Sequence, residues 1–458
     1  MPYGVSEQMI DTYSELIFDL SLNKQTRRGD PIRNLDHAAW LEQREATGLN
    51  DPEIAAKTGL AVEQVTFIRN ITERRVFRLN QYRKLYRLGG GLRYREDRYQ
   101  DPEEKFEMND DAVALRLAMH FVPSQVKKFI AEGLWSAEVP GDLLAANNSN
   151  DPAIISAAAT VSYAELSVRA EQMAAGLAEN GAGRGDVVAT VLPMAAELFI
   201  SYFACAQIGA VLLPLEHSLS GFEIAEIARY SNAHIVVCEN TAGDVPDGAV
   251  SYHDLVAAEV PDRPRFVQVA ADPILLTTNA GGNEQLQAGI FTHQNMQSAV
   301  RNTAPLLKLF SSDQIDLSAL PVGSLSLVLA LSAFDAGAAV TTDPAGATHS
   351  VTLTNDGSLE ISGADHKVHL WGQNDTLIVL SAEDGHTFAP LPGVETRVAD
   401  GDTSELQIRG PSMMAGYLAN STANAAVWTA DGWYKTGTEV TITSETADNV
   451  YYSIIGGS

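Results

Sequence analysis

Cysteine is almost absent. Cys205 and Cys238 are the two present in 458 residues, too few for a disulfide framework or a cysteine-rich zinc site. Long apolar runs are missing as well: nothing approaches the roughly 18 residues of a transmembrane helix. The opening MPYGVSEQMIDTYSEL has no basic stretch leading into an apolar core, so it is not read as a secretion signal. Positive charge is scarce, with 31 Lys and Arg against 58 Asp and Glu, a formal net charge of −27. His217, His234, His253 and His386 have no ligand-like spacing to one another or to cysteine, so no metal site is expected. What is present is ordinary for a globular chain: 45% hydrophobic and 19% charged residues exclude wholesale disorder. At roughly 150 residues per domain, two to four domains are expected, in a cytoplasmic protein with no membrane partner.

The charge is unevenly placed. Residues 1–135 hold 20 basic and 21 acidic residues, whereas 136–458 hold 11 and 37. Residues 69–98 alone contain ten basic residues and three acidic ones, a candidate polyanion-binding face. Apolar residues recur at helical spacing through 1–135 (MIDTYSELIFDL, HAAWLEQR, QVTFIRNI, AVALRLAMHF), which predicts a helical first domain. The polar stretch 136–152 reads as a linker. From Ala153 strands alternate with Ala-rich helices, the pattern of βαβ units, and 153–345 is expected to form an α/β subdomain. Short strands separated by turns fill 346–458, a β-rich remainder.

Within the first part, DPEIAAKTGLAVEQVTFIRN (51–70) places small Ala55 four residues before Gly59, with Ile54, Leu60, Val65 and Ile68 on inner faces. The segment resembles the helix-turn-helix of DNA-binding proteins. That resemblance implies a recognition helix presenting Gln64, Thr66, Phe67, Arg69 and Asn70 to duplex DNA, with Arg74, Arg75 and Arg78 on phosphates. Such proteins commonly act as two-fold dimers, so a homo-oligomer is expected.

Residues 161–216 (VSYAELSVRAEQMAAGLAENG through FACAQIGAVLLPLE) and 390–437 (PLPGVETRVADGDTSELQIRG through DGWYKTG) resemble the adenylate-forming superfamily of acyl-CoA synthetases, adenylation domains and luciferases. The resemblance implies an ATP site with a Ser/Thr/Gly-rich phosphate loop ending in Pro-Lys-Gly. Here that stretch is TTNAGGNEQLQAGIFTH (277–293), keeping Thr278, Gly281 and Gly282 but reading Gln287-Ala288 at Pro-Lys. The family's aromatic-Gly-x-Thr-Glu motif is expected near VLSAE (379–383), with Glu383 in the place of the magnesium-binding acid. Thr438 stands where the family has the aspartate that grips the ribose. His293 after Thr292 implies a structural role. The span from Gly337 to the acidic motif is short for the family, and the mobile C-terminal lid is expected to be absent.

Together these readings predict a multidomain α plus α/β chain, a DNA-binding transcriptional regulator. Its adenylate-forming-like domain would be catalytically silent and hold no cofactor, serving to sense a small acyl or nucleotide-like ligand, to dimerise or to dock a partner. The rival readings are an acyl-adenylate-forming ligase with an atypical phosphate loop and a non-enzymatic interaction protein.

Overall fold

In the computed structural model the described residues are Val5, Met9, Thr12, Tyr13, Ile17, 49–69, Met119 and 123–457, apart from 148, 158, 240–243, 261–267, 279–285, 400–403, 419, 430 and 446–449. Helix α1 (Asp51–Thr58) starts where Asn50 accepts from the Glu53 amide and Glu53 reaches back to the Asn50 amide. That reciprocal pair satisfies amides that no helical carbonyl can reach. Gly59, at φ +74°, takes the left-handed turn that ends it. A second helix, α2, covers residues 62–69. Ile54, Ala55, Val65, Phe67 and Ile68 pack together with Val5 and Ile17.

Helix α3 (Pro123–Ala131) leads through a 3-10 turn (Pro140–Asp142) into α4 (Leu143–Ala146). Residues 136–152, read as a linker, therefore contain regular structure, and Val139 and Leu144 are buried. Then come β1 (Pro152–Ile155), β2 (Thr160–Ser162), α5 (Tyr163–Glu179), β3 (Val187–Val191), α6 (Ala196–Ile208), β4 (Val211–Leu215), α7 (Gly221–Ser231), β5 (Ala233–Cys238), β6 (Val250–Ser251), α8 (Tyr252–Leu255), β7 (Pro273–Thr278) and β8 (Ala288–Thr292). Next are α9 (His293–Leu307), β9 (Gln314–Asp316), α10 (Ser324–Asp335), β10 (Ala339–Thr341), β11 (His349–Leu353), β12 (Leu359–Ser362), β13 (Lys367–Gln373), β14 (Leu377–Ala382) and β15 (Ala389–Pro390). The chain closes with β16 (Glu395–Val398), β17 (Glu405–Arg409), α11 (Ser421–Val427), β18 (Tyr434–Glu445) and β19 (Val450–Gly457).

Among the described residues three sheets form, ordered β6-β5-β3-β4-β7-β8, β15-β14-β13-β12-β11-β9-β10-β1-β2, and β16-β17-β18-β19. The first is parallel except for β8, which turns back along β7. In the second, β1, β10, β9 and β11 run parallel and the rest is an antiparallel meander. This sheet is continuous across residue 345, where the sequence pattern suggested a boundary. Helices α6 and α10 are apolar nearly all round because they are buried from Leu198 to Ala206 and from Ser326 to Phe334.

Candidate active site

The hairpin β7–β8 pairs Thr277 with Gly289 and Thr278 with Ala288, so Thr278 stands at the mouth of the loop that resembles a phosphate loop. Gly281 and Gly282 lie outside the described residues. Strand β8 runs directly into α9, whose first amides are capped by Thr292 and Asn295 in another reciprocal pair. His293 comes next, only 1% exposed. Burial pushes its pKa down to about 4 against the pull of Asp272, so the ring is neutral at pH 7. Asp272 itself pairs with Arg184 at 2.9 Å and accepts the His293 amide on its carbonyl at 3.1 Å.

The end of β13 and the turn after it read Trp371-Gly372-Gln373-Asn374-Asp375, a tight return into β14. The return requires glycine at 372, because a Cβ there would lie 1.8 Å from the Leu377 carbonyl oxygen. Asp375 is half-buried. Its Oδ2 accepts from Tyr434 Oη at 3.0 Å and also from Tyr417 Oη. Crowding by protein raises the Asp375 pKa, while the two phenols pull it back. Both tyrosines are raised above the usual phenol range, first by burial and then by the Asp375 charge.

Asp375 meets the first hairpin beside Gly289. A Cβ on Gly289 would sit 3.0 Å from Thr277 Oγ1 and 3.1 Å from Asp375 Oδ1. Those two oxygens thus converge on one small space, and Thr277 Oγ1 is buried with no hydrogen-bond partner. From the same turn, Gln373 Nε2 donates to the Thr436 carbonyl at 2.9 Å and to Thr438 Oγ1 at 3.2 Å. Thr438 is buried, and Gly437, at φ +66°, donates its amide to Glu405 Oε1.

Thr438 thus lies beside Gln373, two residues before Asp375, Thr278 follows Thr277 at the end of β7, and Glu383 is elsewhere. Glu383 is exposed beyond the far end of β14, about 20 Å along the strand from the Asp375 turn at ~3.3 Å per residue. Sequence reasoning missed Asp375, Gln373 and Tyr417. The signal was there: Trp-Gly-Gln-Asn-Asp spells the aromatic-Gly-x-Thr-Glu pattern with two conservative exchanges, one strand earlier than expected. The short span after Gly337 is occupied by the hairpin β11–β12, which extends the sheet.

The residues assigned to DNA contact are differently placed. Phe67 is buried, Thr66 Oγ1 donates to Asp51 Oδ2 at 2.6 Å, and Arg69 pairs with Asp51 at 2.6 Å. Gln64 Oε1 accepts the Ala61 amide at 3.1 Å at the start of α2. Asn70, Arg74, Arg75 and Arg78 lie outside the described residues. Among the described residues, no His, Cys, Asp and Glu group of three could hold a metal ion, and no helix is long and apolar enough to cross a membrane.

Residues 143–312 match the AMP-binding enzyme family. Over those residues the chain is similar to AMP-binding enzymes, and its α/β body has the adenylate-forming fold. It is 32% identical over 134 residues to novobiocin biosynthesis protein H of Streptomyces niveus, covering 29% of this chain and 22% of that protein. It is 24% identical over 361 residues to the indoleacetate–CoA ligase of Aromatoleum aromaticum, covering 60% of this chain and 70% of that enzyme. The ATP-bound crystal structure of MatB from Rhodopseudomonas palustris superposes with a TM-score of 0.59 at 21% identity, over 69% of this chain and 78% of that one.

These likenesses overturn the reading as a DNA-binding regulator with a silent nucleotide cleft. The matched family is one of AMP-binding enzymes, one relative is a CoA ligase and one neighbour was solved with ATP bound, and none of these points to duplex DNA as a partner. With that reading go the transcriptional role and the two-fold dimer argued from it. A match to AMP-binding enzymes and a fold neighbour with ATP bound leave the expectation of no cofactor without footing too.

Proposed function

We propose that the chain is the nucleotide- and acid-binding part of an adenylating ligase, which couples a carboxylic acid to AMP from ATP and releases pyrophosphate. The observation that carries this reading is the convergence of Thr277, Gly289, Asp375 and the Gln373–Thr438 pair where elements of all three sheets meet. In this reading Asp375 takes the acidic role first assigned to Glu383, and residues 123–147 belong with the α/β body.

The donor set suits magnesium. A carboxylate oxygen and a hydroxyl oxygen, both hard, face one space, and magnesium typically takes one or two carboxylates together with substrate phosphates. Thr277 Oγ1 and Asp375 Oδ1 would hold it, and when bound it supplies positive charge to the phosphates. Thr278 lies at the loop entrance, where its hydroxyl would serve a phosphate oxygen. Gln373 spends both amide hydrogens on Thr436 and Thr438, which leaves its Oε1 as an acceptor for a ribose hydroxyl. The acid's carboxylate oxygen attacks the α-phosphorus and the bond to pyrophosphate breaks. Preorganised groups that need no rearrangement at that moment lower the barrier.

Acid-dependent exchange of labelled pyrophosphate into ATP tests the reading. A panel of aryl acids, fatty acids and amino acids at millimolar MgATP is expected to contain at least one that supports exchange. Absence of exchange with every acid, together with no ATP binding by calorimetry, refutes the proposal.

A further inference from the structure

We infer that Trp135 is a positioning residue for the Asp375 site, linking the segment ahead of the AMP-binding match to the loop that carries Tyr417. The functional meaning of this link rests on the ligase reading; the link itself rests on geometry.

Trp135 is held firmly on its own side. Its ring meets Phe129 edge-on at 5.1 Å, and with Val126 the two form a small core. Leu134 fills the space above Gly393, where a Cβ would lie 2.5 Å from Leu134 Cδ1. Ser298 Oγ donates to the Leu134 carbonyl at 2.7 Å and Arg301 Nη1 to the Gly133 carbonyl at 2.8 Å, tying the segment to α9. Lys128 pairs with Glu395 at the start of β16.

From this anchored base, Trp135 Nε1 donates to the Pro411 carbonyl at 2.9 Å. Asn295 Nδ2, from the first turn of α9, donates to the same oxygen at 2.9 Å. A carbonyl oxygen has two lone pairs, and here two separate segments occupy them, so the peptide is held from both sides. The chain beyond Pro411 leads straight to the site. Ser412 Oγ donates to the Thr376 carbonyl at 3.3 Å, the Met414 amide to the Asp375 carbonyl at 2.9 Å, and the Ala415 amide to the Ile290 carbonyl at 2.7 Å. Tyr417 Oη then donates to the Asp375 carboxylate. Residues 411–417 thus touch Asp375 through both backbone and side chain, and Trp135 helps set where they begin.

Shared packing alone does not demonstrate coupling, so the test separates the two. Trp135→Phe keeps a ring against Phe129 and removes the indole N–H. In the full chain it is expected to lower kcat for acid-dependent ATP–pyrophosphate exchange about fivefold, the worth of one neutral hydrogen bond, with a smaller change in KM for the acid. Amide hydrogen exchange in 411–418 should quicken, while β11–β12 keeps its protection. Combined with Tyr417→Phe, the loss should be less than additive. A lowered melting temperature with wild-type kinetics and wild-type protection of 411–418 overturns the inference, as does full additivity. If Trp135→Phe does not fold, Ser298→Ala, which releases the Leu134 carbonyl, is measured by the same criteria. Wild-type protein that neither exchanges with any acid nor binds ATP refutes the ligase reading instead, and protection of 411–418 still decides the Trp135 link.

Discussion

His293 makes the stability of the fold depend on pH in a way that can be worked out and checked. The ring is sealed at the start of α9, with Nδ1 lacking a hydrogen-bond partner. Its pKa falls from 6.5 to about 4 in the folded chain, chiefly through burial. Below pH 6.5 the unfolded chain takes up a proton at this position and the folded chain does not, so acid favours unfolding. The loss begins near pH 6.5, grows at up to about 1.4 kcal/mol per pH unit, and is complete near pH 4. Over the whole window the group accounts for about 3 kcal/mol, and about 2 kcal/mol of that is lost by pH 5. Carboxylates also titrate at acid pH, so the measurement is a difference between two proteins. Urea unfolding of wild type and His293→Gln, each from pH 7.5 to 4.5, isolates the histidine. The substituted protein starts less stable at pH 7.5, because a fitted ring is lost, but loses less stability on acidification. Parallel pH profiles for the two proteins would refute a buried neutral His293.

The same geometry sets further outcomes. Gly372→Ala drives a Cβ against the Leu377 carbonyl, a backbone atom that cannot swing aside; its cost should exceed the usual ~1–3 kcal/mol of overpacking and appear as loss of soluble folded protein by circular dichroism. Gly289→Ala meets only side-chain atoms at 3.0–3.3 Å, so the fold should survive at a cost of about 1–3 kcal/mol, while calorimetric MgATP affinity drops. Asp375→Ala strips the acceptor from Tyr417 and Tyr434 and should abolish pyrophosphate exchange, whereas Glu383→Ala should leave it at the wild-type rate. Asp51→Ala removes the common partner of Thr66 and Arg69; at about 1–3 kcal/mol for an abandoned polar partner, tryptic cleavage after Arg69 should become markedly faster.

Much of the α/β body can be read from the residues in order. Strand–helix alternation after Ala153 and the Ser162/Glu165 cap depend on neighbours close along the chain, and short-range physics is written locally. The same holds for the Thr292/Asn295 cap and for the glycine that ends α1. Thr278 and Thr438 were singled out by motif, since each sits within a contiguous string. The acidic group now proposed was not singled out because its significance is not local. Asp375 becomes part of a site by receiving hydroxyls from Tyr417 and Tyr434, 42 and 59 positions along the chain, and by meeting Gly289 across two sheets. The same limit explains the helical hairpin at 51–69. Helical spacing there identified the inner residues Ile54, Val65 and Ile68, but it could not say that Asp51 would draw Thr66 and Arg69 inward or that Phe67 would be covered. Sequence by itself determined which segments become strands and helices and which fold family they resemble. Tertiary structure alone decided which polar side chains converge, because convergence depends on where distant turns are brought together and on which partners neutralise one another once water is excluded.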